Sequence, residues 1–330
     1  VVKVYPILII LTYQIKNMRF TVSINNQQSH PVITLKDKTL GSKVEIFAFG
    51  GLLNSFSIPY KKGLFNCVDG FATVADAKKN ISNGFKSAKI APFVCRLNKG
   101  QYQLNAKIYR IQKHYMGAHA IHGLVFDQVY KIGKVVSNDE SASVELTYSY
   151  AKTDKGYPFR FDIRLCWKLT DHNRLSVTTE VMHKNKVSIP YTDGWHPYFT
   201  LGDTVDNYTI QFNSKNQLAF NEELLPTGKK KKDERFLHGA SLNGVLLDNS
   251  FELMKGQSHK CIVANKQFQL TVEGDKSYPI LQLYIPPKRK SIAIENLSGA
   301  PDSFNNGMGL LMLEPNKKYS FSTSYSITTN

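Results

Sequence analysis

Four short stretches of this sequence set a proton-transferring side chain where a chain usually turns or a strand usually ends. They are HAIHGLVFD with His122, DGWHPYFTLGD with His196, GVLLDNSFEL with Asp248 and SIAIENLSGAPDSF with Glu295. Two imidazoles and two carboxylates are the usual equipment of general acid–base catalysis. Imidazole titrates near neutrality, and a carboxylate becomes a better base as water is withdrawn from it. Strand ends and loops are also where rigid scaffolds present such groups. Pro197 disfavours helical backbone at His196 and aims its ring from an extended strand end. Gly123 lets the backbone beside His122 approach a ligand closely. Each residue taken singly also fits an ordinary role: a satisfied loop histidine, a turn aspartate before Asn249, a solvated glutamate directly after the strand Ile292–Ile294.

The elements that would position these groups read as strands. From Arg160 the chain runs RFDIRLCWKL. Phe161, Ile163, Leu165, Trp167 and Leu169 face one way, and Arg160, Asp162, Arg164 and Lys168 the other, which is the period of a half-buried antiparallel strand. Leu175, Val177, Thr179 and Val181 repeat it after a turn at Asp171–Asn173, so the two form a hairpin. Further strands are expected at Phe20–Ile24, Val44–Phe49, Val144–Tyr150, Tyr208–Phe212, Phe268–Val272, Leu281–Ile285, Ile292–Ile294 and Tyr319–Ile327. Helical periodicity is confined to Val74–Ser82. Many short strands joined by polar turns predict an all-β chain, a large antiparallel β-sandwich. No linker or composition break divides it. A phosphate-binding glycine loop after a strand, a G-x-S-x-G elbow and an H-E-x-x-H pair are all absent from the sequence.

The 330 residues are 42% hydrophobic and 21% charged, enough apolar material for a large core. A formal charge of +16 raises nucleic acid or an anionic surface as partners. The basic residues are scattered, however. The one dense run, Lys229–Lys232, is followed at once by Asp233 and Glu234, so a solvated basic surface is the reading adopted. Cys67, Cys95, Cys166 and Cys261 have no CxxC spacing and suit buried thiols rather than a disulfide framework or a zinc site. Residues 1–17 carry an apolar run, Tyr5–Tyr13, far short of the ~20 residues that span a bilayer. Lys3 precedes it and no A-x-A cleavage site follows. Met18 opens MRFTVSIN, so residues 1–17 read as an N-terminal extension outside the functional domain. Cytoplasmic residence is expected, with export the alternative if that segment is a signal.

Taken in order, these segments resemble the aldose 1-epimerases, or galactose mutarotases, from about Phe20 to the C-terminus. CRLNKGQYQL is similar to the family's Asn-Arg segment and supplies Arg96. AIHG resembles its Leu-His-Gly at His122, and HPYFTL its His-Pro/Ala-Tyr-Phe-Asn-Leu at His196. LLPTG, Leu224–Gly228, resembles its Val-Pro-Thr-Gly turn. LLDNSF is similar to its aspartate segment at Asp248, and IENLSGAPDSF to its Glu-Thr-Gln…Pro-Asp-Ser stretch at Glu295.

The resemblance implies one galactose mutarotase-like supersandwich domain over residues 18–330, with a sugar groove on one face. It implies mutarotation, in which a pyranose ring opens and recloses on the other face. Glu295 would be the base that takes the anomeric hydroxyl proton. His196, protonated at rest, would be the acid that protonates the ring oxygen. His122, Asp248 and Arg96 would hold sugar hydroxyls, and Trp195, Tyr198 and Phe199 would pack near the sugar. No electron or phosphoryl group moves, so no cofactor and no metal are implied. The partner is a small-molecule sugar, with no nucleic acid and no membrane, and the chain acts as monomer or dimer. Two other readings accompany this one: a relative acting on hexose 6-phosphates, and a non-catalytic carbohydrate-binding protein on the same fold. The chain also departs from the family pattern. Cys95 stands where Asn is usual, GYPFRFDI (Gly156–Ile163) diverges after Gly-Tyr-Pro toward a less-studied bacterial branch, and Asn296-Leu297 replace Thr-Gln after Glu295.

Overall fold

The alternating segment Phe161–Thr170 is a strand, paired antiparallel with Arg174–Met182 so that Leu165 lies across from Thr179 and Trp167 from Val177. Phe161, Ile163, Leu165, Trp167 and Leu169 are all buried. A computed structural model describes residues 18–330, and the expected extension at residues 1–17 lies outside the described residues. Strands make up 51% of the structure and helices 5%, so the chain is all-β and antiparallel.

Two large sheets form the sandwich. The first has nine strands and runs from Lys131–Ser137 through Ser141–Tyr150, the Phe161 hairpin, Tyr319–Thr329, Phe268–Gly274, His259–Ala264 and Thr209–Phe212 to Ala240–Ser241. The second runs Pro226–Lys232, Ser214–Phe220, Asp248–Leu253, Ile280–Tyr284, Ile292–Leu297, Gly194–His196, Ala88–Ile90, with Tyr198–Phe199 paired to Ile292–Leu297. Aromatic rings join their inner faces: Trp167 to Trp195 at 5.2 Å, Tyr325 to Phe199 at 5.4 Å and Phe212 to Phe251 at 4.9 Å between centroids. Five further strands from Phe20 to Asn66 form a sequential meander. Helix Val74–Asn80 is capped by Thr73, whose hydroxyl accepts from the Asp76 N–H.

Along the second sheet successive side chains alternate between the inner face and an outer face. Leu281, Leu283, Ile294 and Trp195 belong to the main core, whereas Ile280, Leu297, Ala88 and Ile90 belong to a smaller apolar cluster on the outer side. His196, Gln282 and Glu295 share that outer side, so the two periodicities of the sheet separate core from site.

Two sequence expectations change here, and a third gains an element. Glu295 does not follow a strand but lies within Ile292–Leu297 and is buried. Asp248 opens the strand Asp248–Leu253 rather than making a turn before it. The lysine run is a strand, Pro226–Lys232, at the free edge of the second sheet, with all four lysines exposed. Its alternation is invisible in sequence because both faces are charged. The cysteines are unpaired, with Cys67, Cys95 and Cys261 buried and Cys166 partly so.

Candidate active site

Glu295 and His196 lie on adjacent strands. Gly194 pairs with Leu297, and Tyr198 with Ala293. Both pairs share one register, and that register sets His196 directly across from Glu295. Gly194 permits the fit, because a Cβ there would come within 2.6 Å of Leu297 and 3.0 Å of Ile90. The result is His196 Nε2 at 3.4 Å from Glu295 Oε1, with both side chains buried.

One hollow of about 320 Å³ collects the five polar residues singled out above: Arg96, His122, His196, Asp248 and Glu295 all line it. That volume is at the lower end of small-ligand sites, ~300–1,000 Å³. His122 follows the strand His119–Ile121 in left-handed backbone, φ 57°, and its N–H donates to the Cys95 carbonyl at 2.9 Å. The next residue must be glycine: Gly123 has φ 78°, and a Cβ would sit 2.0 Å from the Ala91 carbonyl oxygen. The His122 ring meets His196 edge to face at 4.9 Å and Phe85 at 4.5 Å. Arg96 has no carboxylate within ion-pair distance among the described residues. Its guanidinium donates to Met116 Sδ at 3.9 Å.

Sequence reasoning missed Gln282. It is the cross-strand neighbour of Glu295 on one side and of Ser250 on the other. Ser250 Oγ donates to Gln282 Oε1 at 2.5 Å, which fixes the amide so that Nε2 donates to Asp248 Oδ1 at 2.9 Å. The available signal was a lone amide inside the apolar run ILQLY. Phe85 and Tyr284 also line the hollow and carried no signal. Of the aromatic residues expected near the sugar, only Tyr198 lines it, stacked on His196 at 5.1 Å. Trp195 points to the inner face against Trp167, and Phe199 packs on Tyr325. Strand alternation explains this correction, since Trp195 and His196 are consecutive.

Burial dominates the electrostatics. It pushes the Glu295 carboxyl well above its ordinary range, helped by Asp248, and raises Asp248 itself against the pull of Arg96. It lowers His196 to about 4 and holds His122 well below its ordinary 6.5, with His196 and Arg96 adding to the latter shift. Burial therefore favours the neutral form of the His196 imidazole, and a partner beside it is needed to favour the imidazolium. Glu295 Oε2, His196 Nδ1 and His122 Nδ1 are buried without a hydrogen-bond partner. Buried polar atoms are rarely left so, and three in one hollow mark places where a ligand's hydroxyls can bond. Among the described residues no cluster of His, Cys, Asp and Glu is arranged to hold a metal ion. No helix among them is long and apolar enough to cross a membrane.

Such an arrangement has the chemistry to transfer protons, in a groove on the outer face of an antiparallel β-sandwich. Comparison with known proteins gives the family. The chain belongs to the aldose 1-epimerase family, whose model matches residues 31–326. It is 28% identical over 238 residues to YihR, an uncharacterized protein of Escherichia coli K12, covering 70% of this chain and 75% of that one. An aldose 1-epimerase of Streptococcus thermophilus is 27% identical over 196 residues, 58% of this chain and 55% of the relative. The fold matches the crystal structure of galactose 1-epimerase from Lactobacillus acidophilus NCFM with a TM-score of 0.81. There 18% of residues are identical, over 95% of this chain and all of that one.

Proposed function

We propose that the protein is an aldose 1-epimerase that interconverts the α and β anomers of free hexoses, through one catalytic domain spanning residues 18–330. The observation that carries this reading is the buried Glu295–His196 pair, set 3.4 Å apart by strand register and left with unbonded atoms facing a sugar-sized hollow.

The reaction needs one group to accept a proton and another to give one. Glu295 takes the proton of the anomeric hydroxyl as the C1–O1 double bond forms and the C1–O5 bond breaks. His196 delivers a proton to O5. Rotation about C1–C2 turns the aldehyde over, and the same two groups run backwards to reclose the ring. The pair shares one proton. Burial by itself favours its uncharged arrangement. Sugar hydroxyls bonding Glu295, with the Arg96 charge nearby, favour the carboxylate and imidazolium from which the first step starts. His122, Asp248 and Arg96 hold the remaining hydroxyls, and Tyr198 offers an aromatic face to an apolar face of the sugar.

Of the described residues lining the hollow, Arg96 is the one permanent cation, which favours a neutral hexose over a hexose 6-phosphate. A non-catalytic sugar binder would have no need of a buried base with its acid beside it. Polarimetry of fresh α-D-glucose and α-D-galactose tests the reading: the protein should hasten the loss of optical rotation, and Glu295→Gln should remove that effect while the fold remains. No acceleration with any free aldose would overturn it, and acceleration confined to 6-phosphates would establish the alternative substrate.

A further inference from the structure

Behind His196, on the inner face of the same sheet, lies a fully buried ammonium. Lys89 is the cross-strand neighbour of Trp195 and is 0% exposed. Its Nζ bonds Asp193 Oδ1, donates to the Gly194 carbonyl at 3.2 Å and lies 4.7 Å from the centre of the Trp195 ring. An ammonium has three N–H donors. Here it meets three acceptors, which belong to the three consecutive residues that lead into His196. Asp193 is held from other elements too. Tyr278 O–H donates to Oδ1 at 2.7 Å and Tyr191 O–H to Oδ2 at 3.0 Å. The Asp193 N–H donates to Ser298 Oγ at 2.8 Å, and the Ser298 N–H returns a bond to the Asp193 carbonyl. Ser298 directly follows the strand that carries Glu295. Burial, with Asp193 beside them, holds both phenols well above their ordinary range, so both stay donors.

The strand needs this anchoring. Between Gly194 and Tyr198 no residue of the His196 segment takes a ladder position against the Glu295 strand, and Pro197 lies inside the gap. Toward that strand the Ile294 N–H donates to the Pro197 carbonyl at 3.2 Å, and on the other side the Ser87 N–H donates to the His196 carbonyl at 2.9 Å. On the other side, the strand Ala88–Ile90 that carries Lys89 is short. A buried ion pair adds little net stability, yet losing one partner strands a charge. Its value is geometric, because a displacement of about 1 Å in a catalytic group can cost about 10²-fold in rate.

We infer that Lys89 and Asp193 are positioning residues, a clamp that fixes the backbone leading into His196 and so sets the distance of its ring from Glu295. This inference rests on the acid–base roles proposed above. Burial pulls the Lys89 ammonium down to about 8, which leaves it mostly charged at neutral pH.

The test uses the full chain as Lys89→Met, Asp193→Asn and the double variant. Each single change leaves a buried group uncompensated and is expected to lower the melting temperature. The double variant should recover most of that stability. Its kcat for D-galactose or D-glucose, measured well below its melting temperature, should stay down about ten- to a hundredfold with KM within about threefold of wild type. A double variant whose kcat recovers together with its stability would overturn the inference, because the pair would then be structural only. A second readout needs no turnover: ring ¹⁵N resonances of His196, assigned by their loss in His196→Gln. They should move in the double variant while those of His183, bonded to the Leu313 carbonyl, stay put. A His196 spectrum superimposable on wild type would also overturn it. Should the wild type accelerate no aldose, the proposed activity fails, and the ring spectrum alone decides on the clamp.

Discussion

His196 and Trp195 are neighbours in the chain and face opposite sides of one strand, and the two sides treat buried charge in opposite ways. On the inner side Lys89 and Asp193 use up one another's bonding capacity, with two tyrosines completing the set. The unpartnered inner-side atoms of this sheet's own strands include Trp195 Nε1 and Asn296 Oδ1, both uncharged. On the outer side the atoms left unbonded belong to His122, His196 and Glu295, all groups that can gain or lose a proton. The same sheet thus buries satisfied charge where it needs rigidity and unsatisfied titratable groups where it needs a ligand.

Substitutions that exchange the two behaviours test that division. The largest effect is expected outside: His196→Gln should slow mutarotation about 10²–10⁴-fold, read by polarimetry, while the melting temperature holds or rises. The intact pair also has a pH signature. Burial lowers His196 to about 4, so Glu295 and His196 keep a single proton between them down to that pH. Only below it does a second proton enter and disable the base. The acid limb of kcat/KM is therefore expected near pH 4, and a limb near the ordinary 6.5 would mean that water reaches the ring freely. Inside, the effect should fall on stability instead. Phe251→Ala, a fully buried ring against Phe212 and Phe236, should cost about 3–5 kcal/mol in denaturant unfolding and leave kcat/KM of the folded protein within a few-fold. A loss of activity as large as that of His196→Gln would erase the distinction between the faces. The smallest effect sharpens it: Gln282→Met removes the donor that orients Asp248, and should raise KM about tenfold with little change in kcat.

Much of this was legible in the residues. Alternation identified the Phe161 hairpin and the sandwich, because a half-buried strand carries its burial in its period. Ordered motifs identified Arg96, His122, His196, Asp248 and Glu295, and the fold brings all five to one hollow. What stayed hidden depended on pairing between distant strands. Sequence placed Glu295 after its strand, because a buried carboxylate inside one is rare and nothing local reveals that Gln282 and His196 flank it. It put Trp195 beside the sugar, since proximity in the chain does not say which face a residue takes. It could not show that burial opposes the charged form of His196, because solvent exclusion is a property of the assembled hollow.

The exposed strand Pro226–Lys232 has a consequence of a different kind. It ends the second sheet with backbone groups that no further strand among the described residues covers, a template onto which another chain could add. Four consecutive lysines there make that addition unfavourable, since a second copy would bring the same positive row against it. Charge repulsion along the densest basic run in the chain thus opposes strand addition at the edge where it lies.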